Sequence, residues 1–203
     1  MKVQCFSCGM NYTNCYIVYD KKSRMGFCVD VSDKLPQEYF DYIKNKQLKI
    51  EYLLLTHGHF DHTQDILRFH QMFPETKIVM SEIDYQKIQT DTAVYCECGK
   101  FVKPDIFAVE GEDLPFLNRM IRVLETPGHT PGSVCYLYQE MVFCGDTVFC
   151  GSVGRTDLPG GSFPMLLQSL QKVKALKTGT LYPGHMELTD IPTEMKYNQF
   201  FSL

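Results

Sequence analysis

The order of strand-like and helix-like segments predicts an α/β protein, a sandwich of two mixed β-sheets with helices on its outside. Three observations carry this expectation. Short runs of apolar, β-branched and aromatic residues recur between turn residues. Amphipathic stretches with helical periodicity fall between most of these runs. The segments also come in two groups of similar make-up, each able to build one sheet and its covering helices. With 203 residues and no repeats or Ser/Pro-rich linkers, the chain reads as one domain spanning 1–203.

The elements follow in order. Val3–Phe6, Cys15–Tyr19 and Gly26–Val31 read as strands separated by turn-rich segments. Asp33 is positioned to cap a helix over Leu35–Asn45, with Pro36 in its first turn. Ile50–Leu55 is a continuous apolar run, the mark of a strand covered on both faces. Thr63–Met72 reads as a helix, Lys77–Met80 as a strand, and Ser81 as the cap of a helix over Glu82–Gln89. Thr90–Pro104 shows no period and reads as a loop. Strands are predicted again at Ile106–Val109, Met120–Glu125, Ser133–Tyr138, Met141–Phe143 and Thr180–Tyr182. Two helices complete the chain, Phe163–Leu176 behind the cap Ser162 and a terminal one over Glu194–Phe200.

Composition excludes several function classes. A net charge of −4 with no Lys/Arg run longer than two residues offers neither nucleic acid nor an anionic membrane a basic surface. No stretch approaches the roughly 20 apolar residues needed to cross a bilayer. Met1–Asp20 lacks the continuous apolar core of a signal peptide, so a cytoplasmic location is expected. Nine cysteines, an odd number, fit free thiols in a reducing compartment better than a disulfide framework. Cys5-x-x-Cys8 and Cys96-x-Cys98 have knuckle-like spacings but lie about 90 residues apart, and read as incidental or buried thiols.

The chemical signal is Thr56-His57-Gly58-His59-Phe60-Asp61-His62. Imidazole nitrogen and carboxylate oxygen are the donors that borderline divalent ions prefer, and this segment offers four of them directly after a predicted strand. Gly58 allows His57 and His59 to point the same way in a tight segment. Two further histidines share a Pro-Gly-His turn, at His129 in Thr126-Pro-Gly-His-Thr-Pro-Gly132 and at His185 in Tyr182-Pro-Gly-His185. Asp146 stands in Cys144-Gly-Asp-Thr147, again just past a strand. Five of the six histidines thus lie in this motif or in Gly-His turns; the sixth, His70, reads as a non-functional helix residue. Taken singly, His129, His185 and Asp146 have bland structural readings, but together with the His57–His62 cluster they predict a metal site. Asp30 ends a strand, where it either turns the chain or orients a ligand histidine.

At these residues the chain resembles the metallo-β-lactamase superfamily, whose fold is a four-layer αββα sandwich. Within it the chain is similar to short, single-domain glyoxalase II-like hydrolases, of hydroxyacylglutathione hydrolase type. Gly151-Ser-Val-Gly-Arg155-Thr-Asp-Leu-Pro-Gly-Gly161 and the segment from Pro183 through Glu194 to Phe200 carry that narrower likeness. The resemblance implies two divalent metal ions, zinc first, with iron or manganese as alternatives. His57, His59 and His129 would hold one, Asp61, His62 and His185 the other, and Asp146 would bridge them. Asp61 would also act in catalysis by orienting the water nucleophile. Arg155 falls where the family places a cation for glutathione; alternatively it braces the loop by pairing with Asp157. Two features are read as departures from the glyoxalase II pattern: with the sequence ending at Leu203, the C-terminal helical domain of longer members is expected to be absent, and Asp157 stands where an aromatic residue is expected.

The activity this implies is hydrolysis of a small-molecule thioester, glutathione-derived thioesters among the candidates, by metal-activated hydroxide. Iron-dependent persulfide dioxygenases share the ligand positions and the Gly-Arg-Thr-Asp segment. Lactone and other ester hydrolases use the same chemistry, and a metal-binding protein without activity is a further alternative.

Overall fold

The computed structural model describes residues 1–90, 94–95 and 101–203. The chain divides into two compact units, residues 1–80 with 85–107, and residues 81–84 with 108–203.

The first unit holds six strands, β1 (Lys2–Cys8), β2 (Thr13–Tyr19), β3 (Met25–Val29), β4 (Lys49–Leu54), β5 (Lys77–Met80) and β6 (Ile106–Phe107). They lie in chain order in one sheet, antiparallel from β1 to β3 and parallel from β3 to β6. Every residue of β2 is buried, and so are Tyr52, Leu53 and Leu54 of β4, as expected for strands covered on both faces. Helix α1 (Gln37–Asn45) buries Tyr39, Phe40 and Ile43 in a core shared with Ile17, Cys28, Leu53 and Phe69. Each fully buried aliphatic or aromatic side chain contributes about 1.5–3 kcal/mol of transfer free energy.

Two local expectations fail here. Asp33 does not cap α1: Pro36 occupies that position, and the Asp33 carboxylate instead accepts from the Met10 backbone N–H (3.3 Å) and the Ser32 hydroxyl (3.3 Å). The helix expected over Thr63–Met72 is two helices, α2 (Phe60–Thr63) and α3 (Ile66–Met72), interrupted where Asp65 takes φ −89° and ψ 13°. Its carboxylate accepts from the Leu35 N–H (2.8 Å), a tertiary partner that competes with helix continuation. Helix α4 (Glu82–Thr90) follows Ser81 as expected. The Thr90–Pro104 loop falls largely outside the described residues.

The second unit contains β7 (Leu114–Phe116), β8 (Arg119–Glu125), β9 (Val134–Tyr138), β10 (Met141–Gly145), β13 (Thr180–Pro183) and β14 (Thr189–Asp190), in the sheet order β14-β13-β10-β9-β8-β7. Only β10 and β13 pair in parallel, so this sheet is mixed as well. Between β10 and β13 a small hairpin forms from β11 (Val148–Phe149) and β12 (Ser152–Val153). Helix α5 (Phe163–Ala175) starts at Ser162, whose hydroxyl accepts from Met165 N, and buries Leu166, Leu170 and Val173. Helix α6 (Ile191–Tyr197) begins three residues before the predicted Glu194, because Asp190 caps it by accepting from Thr193 N (2.8 Å); a 3₁₀ turn over Gln199–Ser202 follows. The strands β7, β11, β12 and β14 were not expected; each has only two or three residues, too few to show a period.

Candidate metal centre

In the first unit, His57, His59, Asp61 and His62 come together beyond the end of β4, each less than one tenth exposed. His59 lies at the N-cap of α2, and Asp61 and His62 occupy its single turn. The ring centroids of His57 and His59 are 4.8 Å apart and nearly perpendicular; those of His57 and His62 are 4.1 Å apart. Ligand-capable atoms lie within 4.8 Å of each other in the pairs His57–His59, His57–His62 and Asp61–His62. Burying three imidazoles and a carboxylate side by side is costly unless they are hydrogen-bonded, paired or coordinate a metal. This donor set, nitrogen and carboxylate oxygen, suits a borderline divalent cation.

Hydrogen bonds at Nδ1 decide which ring nitrogens could face such a cation. Asp30, at the end of β3 with φ +57°, receives the Thr56 N–H at Oδ1 and both the Thr56 hydroxyl and His62 Nδ1 at Oδ2, each at 2.8 Å. A carboxylate only accepts, so His62 carries its proton on Nδ1 and leaves Nε2 for a ligand. The Thr56 hydroxyl, having donated to Asp30, accepts from His57 Nδ1 (3.1 Å), which orients that ring in the same sense. Asp30 is therefore an orienting residue as well as a turn residue. Asp61 is held through Oδ2, which accepts from Asn11 Nδ2 (2.9 Å) and the Thr13 hydroxyl (3.5 Å).

In the second unit, His129, Asp146 and His185 converge. Asp146 Oδ2 lies 3.4 Å from His129 Nε2 and 3.5 Å from His185 Nε2. His129 Nδ1 donates to the Arg155 carbonyl (2.7 Å), again leaving Nε2 for a ligand. Gly154 makes this approach possible, since a Cβ there would lie 1.8 Å from the Asp146 carbonyl oxygen and 3.2 Å from His129 Cγ. Phe149 of the β11–β12 hairpin meets the His185 ring edge-on at 5.8 Å. The Arg155 side chain, largely exposed, forms a two-pronged ion pair with Asp157, Nε to Oδ1 and Nη2 to Oδ2, both at 2.7 Å. This pairing holds the Asp157 carboxyl down at about 2.

His70 is half-buried on α3 and joins no group of ligand-capable side chains among the described residues. Cys5 and Cys8 are free thiols on β1, while Cys96 and Cys98 lie outside the described residues. Sequence reasoning assigned no role to Asn11, Thr56 or Gly154. Their roles depend on partners up to 50 residues away; Thr56, heading the histidine motif, and Gly154, next to Arg155 in a glycine-rich loop, left a local trace, and Asn11 left none.

Comparison with known proteins places these features in a family. Residues 10–185 match the metallo-beta-lactamase superfamily. The probable polyketide biosynthesis zinc-dependent hydrolase PksB of Bacillus subtilis (strain 168) is 31% identical over 86% of this chain and 73% of its own length. A hydroxyacylglutathione hydrolase of Francisella philomiragia is 27% identical over 91% of this chain and 70% of its own. The crystal structure of the BLEG-1 B3 metallo-β-lactamase superimposes with a TM-score of 0.86 at 28% identity, over 100% of both chains. The α/β fold class expected from sequence is thus that of the metallo-β-lactamases, and the chain belongs to the metallo-β-lactamase superfamily of metal-dependent hydrolases.

Proposed function

We propose that the chain, acting as a single domain, hydrolyses a thioester of the hydroxyacylglutathione type at a centre for two divalent metal ions, zinc in the first instance. His57, His59 and His129 would hold one ion, Asp61, His62 and His185 the other, and Asp146 would bridge them. The observation that carries this reading is the donor set itself. Imidazole and carboxylate groups gather beyond the strand ends of each unit, with Nδ1 of His57, His62 and His129 engaged so that Nε2 is presented. When bound, the two ions supply hydroxide at neutral pH and polarise the scissile carbonyl.

The protein's own groups do the rest. Asp61, steadied by Asn11 and Thr13, orients the attacking water. Asp30 holds the His62 tautomer directly and the His57 tautomer through Thr56, and the Arg155 carbonyl holds that of His129. A thiolate leaves readily, since thiols ionise near pH 8–9, so no strong general acid is required. Arg155 offers a cation for an anionic end of the substrate, in competition with Asp157. A cytoplasmic location accords with the free cysteines of both units.

The test combines metal analysis with a substrate panel led by S-D-lactoylglutathione, alongside other thioesters, lactones and β-lactams. Thioester turnover that disappears together with bound metal in His59→Ala is the expected result. Unchanged turnover in that variant would overturn the site. Stoichiometric oxygen uptake with glutathione persulfide, without thioester cleavage, would replace hydrolysis by dioxygenation.

A further inference from the structure

His129 sits in a loop, residues 126–133, closed at its neck by Thr126 N donating to the Ser133 carbonyl (2.9 Å). The imidazole is fixed on one side by the Arg155 carbonyl. The backbone before it is fixed by Gly128, whose φ is +145° and where a Cβ would lie 2.4 Å from Leu166 Cα. The backbone after it is held by a side chain that sequence reasoning passed over. Asp84, fully buried in the first turn of α4, accepts from the Thr130 hydroxyl at 2.7 Å and from the Gly132 N–H at 2.8 Å. Ser133 Oγ completes the arrangement, 2.7 Å from Thr130 Oγ1 and accepting from Thr130 N at 3.1 Å. The approach is close enough to require glycine at 132, where a Cβ would lie 2.6 Å from Asp84 Oδ1.

We propose that Asp84 is a positioning residue for His129, fixing residues 130–132 so that the imidazole reaches its metal. The inference rests on the dinuclear reading above. A buried carboxylate is expensive, and in a purely structural loop closure a neutral side chain would serve. What the carboxylate adds is two charge-assisted hydrogen bonds to one short turn, which are shorter and stronger than neutral ones. They hold that turn rigidly on the residue next to the ligand, as a precise metal site requires.

The experiment is zinc titration against a competing chelator, resolving the two equivalents, in the wild type and in Asp84→Ala, Asp84→Asn, Thr130→Val and His129→Ala. Asp84→Ala should weaken one equivalent by about 10–100-fold, the size typical of lost ligand-orienting contacts, and spare the other. The weakened equivalent should be the one that His129→Ala abolishes. Asp84→Asn should restore only part of the affinity: its oxygen still accepts from Gly132 N and its amide donates to Thr130 Oγ1, whose hydrogen turns to Ser133, but both bonds lose their charge assistance. If Asp84→Ala does not fold, Thr130→Val, which removes one of the two bonds at nearly constant volume, carries the same expectation. Equal weakening of both equivalents, or of neither, overturns the positioning role while leaving the centre intact. Two undiminished equivalents in His129→Ala would instead overturn the ligand assignment, and this inference with it.

Discussion

Replacing Asp30 with asparagine keeps the shape of a buried side chain and inverts one of its two hydrogen-bonding ends. In the native protein both oxygens accept: Oδ1 from Thr56 N, Oδ2 from the Thr56 hydroxyl and from His62 Nδ1, all at 2.8 Å. Asparagine tolerates the left-handed backbone that residue 30 adopts, so the turn itself is preserved. If the amide oxygen stays on Thr56 N, the NH₂ group faces His62 Nδ1, which then must accept and move its proton to Nε2. The Thr56 hydroxyl, now receiving a hydrogen bond, turns its own hydrogen to His57 Nδ1 3.1 Å away and drives that ring to the same tautomer. If the amide flips, its NH₂ opposes Thr56 N–H, and one buried donor goes unsatisfied at about 1–3 kcal/mol. The tautomer shift is the cheaper path in the metal-free protein, and it removes the Nε2 lone pairs of His57 and His62 together.

In the proposed two-metal centre, affinity should therefore fall at both equivalents by about 10–100-fold, or about 1.4–2.8 kcal/mol each. The stability of the metal-free protein should change little. Chelator competition measures the affinities, thermal unfolding of the metal-free form measures stability, and imidazole NMR reads the tautomers. Asp30→Ala, which leaves both Thr56 N and His62 Nδ1 without an acceptor, should instead cost about 2–6 kcal/mol of folding stability. Wild-type zinc affinity in Asp30→Asn would refute the reasoning, because the hydrogen-bond chain would then not set the ligand tautomers.

Two other perturbations test different parts of the molecule. Asp157→Asn frees Arg155 from its two-pronged partner, so under the proposed thioester hydrolysis the KM for S-D-lactoylglutathione should fall with kcat unchanged, and the gain should shrink in high salt; an unchanged KM would remove Arg155 as the proposed cation for the substrate. Alkaline pH should destabilise the fold from about pH 9, since burial pushes the Cys28 thiol from 9.0 to about 12 and the Cys135 thiol to about 11. Above pH 9 the unfolded chain releases protons that the folded chain retains, so the stability present at neutral pH is lost as pH rises toward the folded values. Each of these thiols removes about 1.4 kcal/mol per pH unit in that window. Thermal melts at pH 7, 9 and 10 measure the loss, and a flat profile would show that these thiols ionise as easily folded as unfolded.

Much of the fold was legible because its signals are local. The apolar run before His57 had to be a covered strand, and β4 is one; Lys77–Met80 and the Ser162-capped helix were similarly plain. Failures came where a distant partner overrode a local preference. Asp33 prefers to cap a helix, yet Met10 and Ser32 take its carboxylate; Asp65 sits mid-helix, yet Leu35 draws it out of the helical pattern. Very short strands escaped because two residues exist as strand only through the neighbour they pair with.

The chain's sequence alone determined the chemistry of the site: which side chains can donate to a metal, and that each follows a strand end. Donor type is a property of the residue, and the Gly-His turns are written in adjacent letters. Only the tertiary structure decided how those donors are oriented. Asp30 reaches His62 across 32 residues and Asp84 reaches Thr130 across 46, and no local pattern encodes a hydrogen bond between segments that meet only when the sheets and helices have packed.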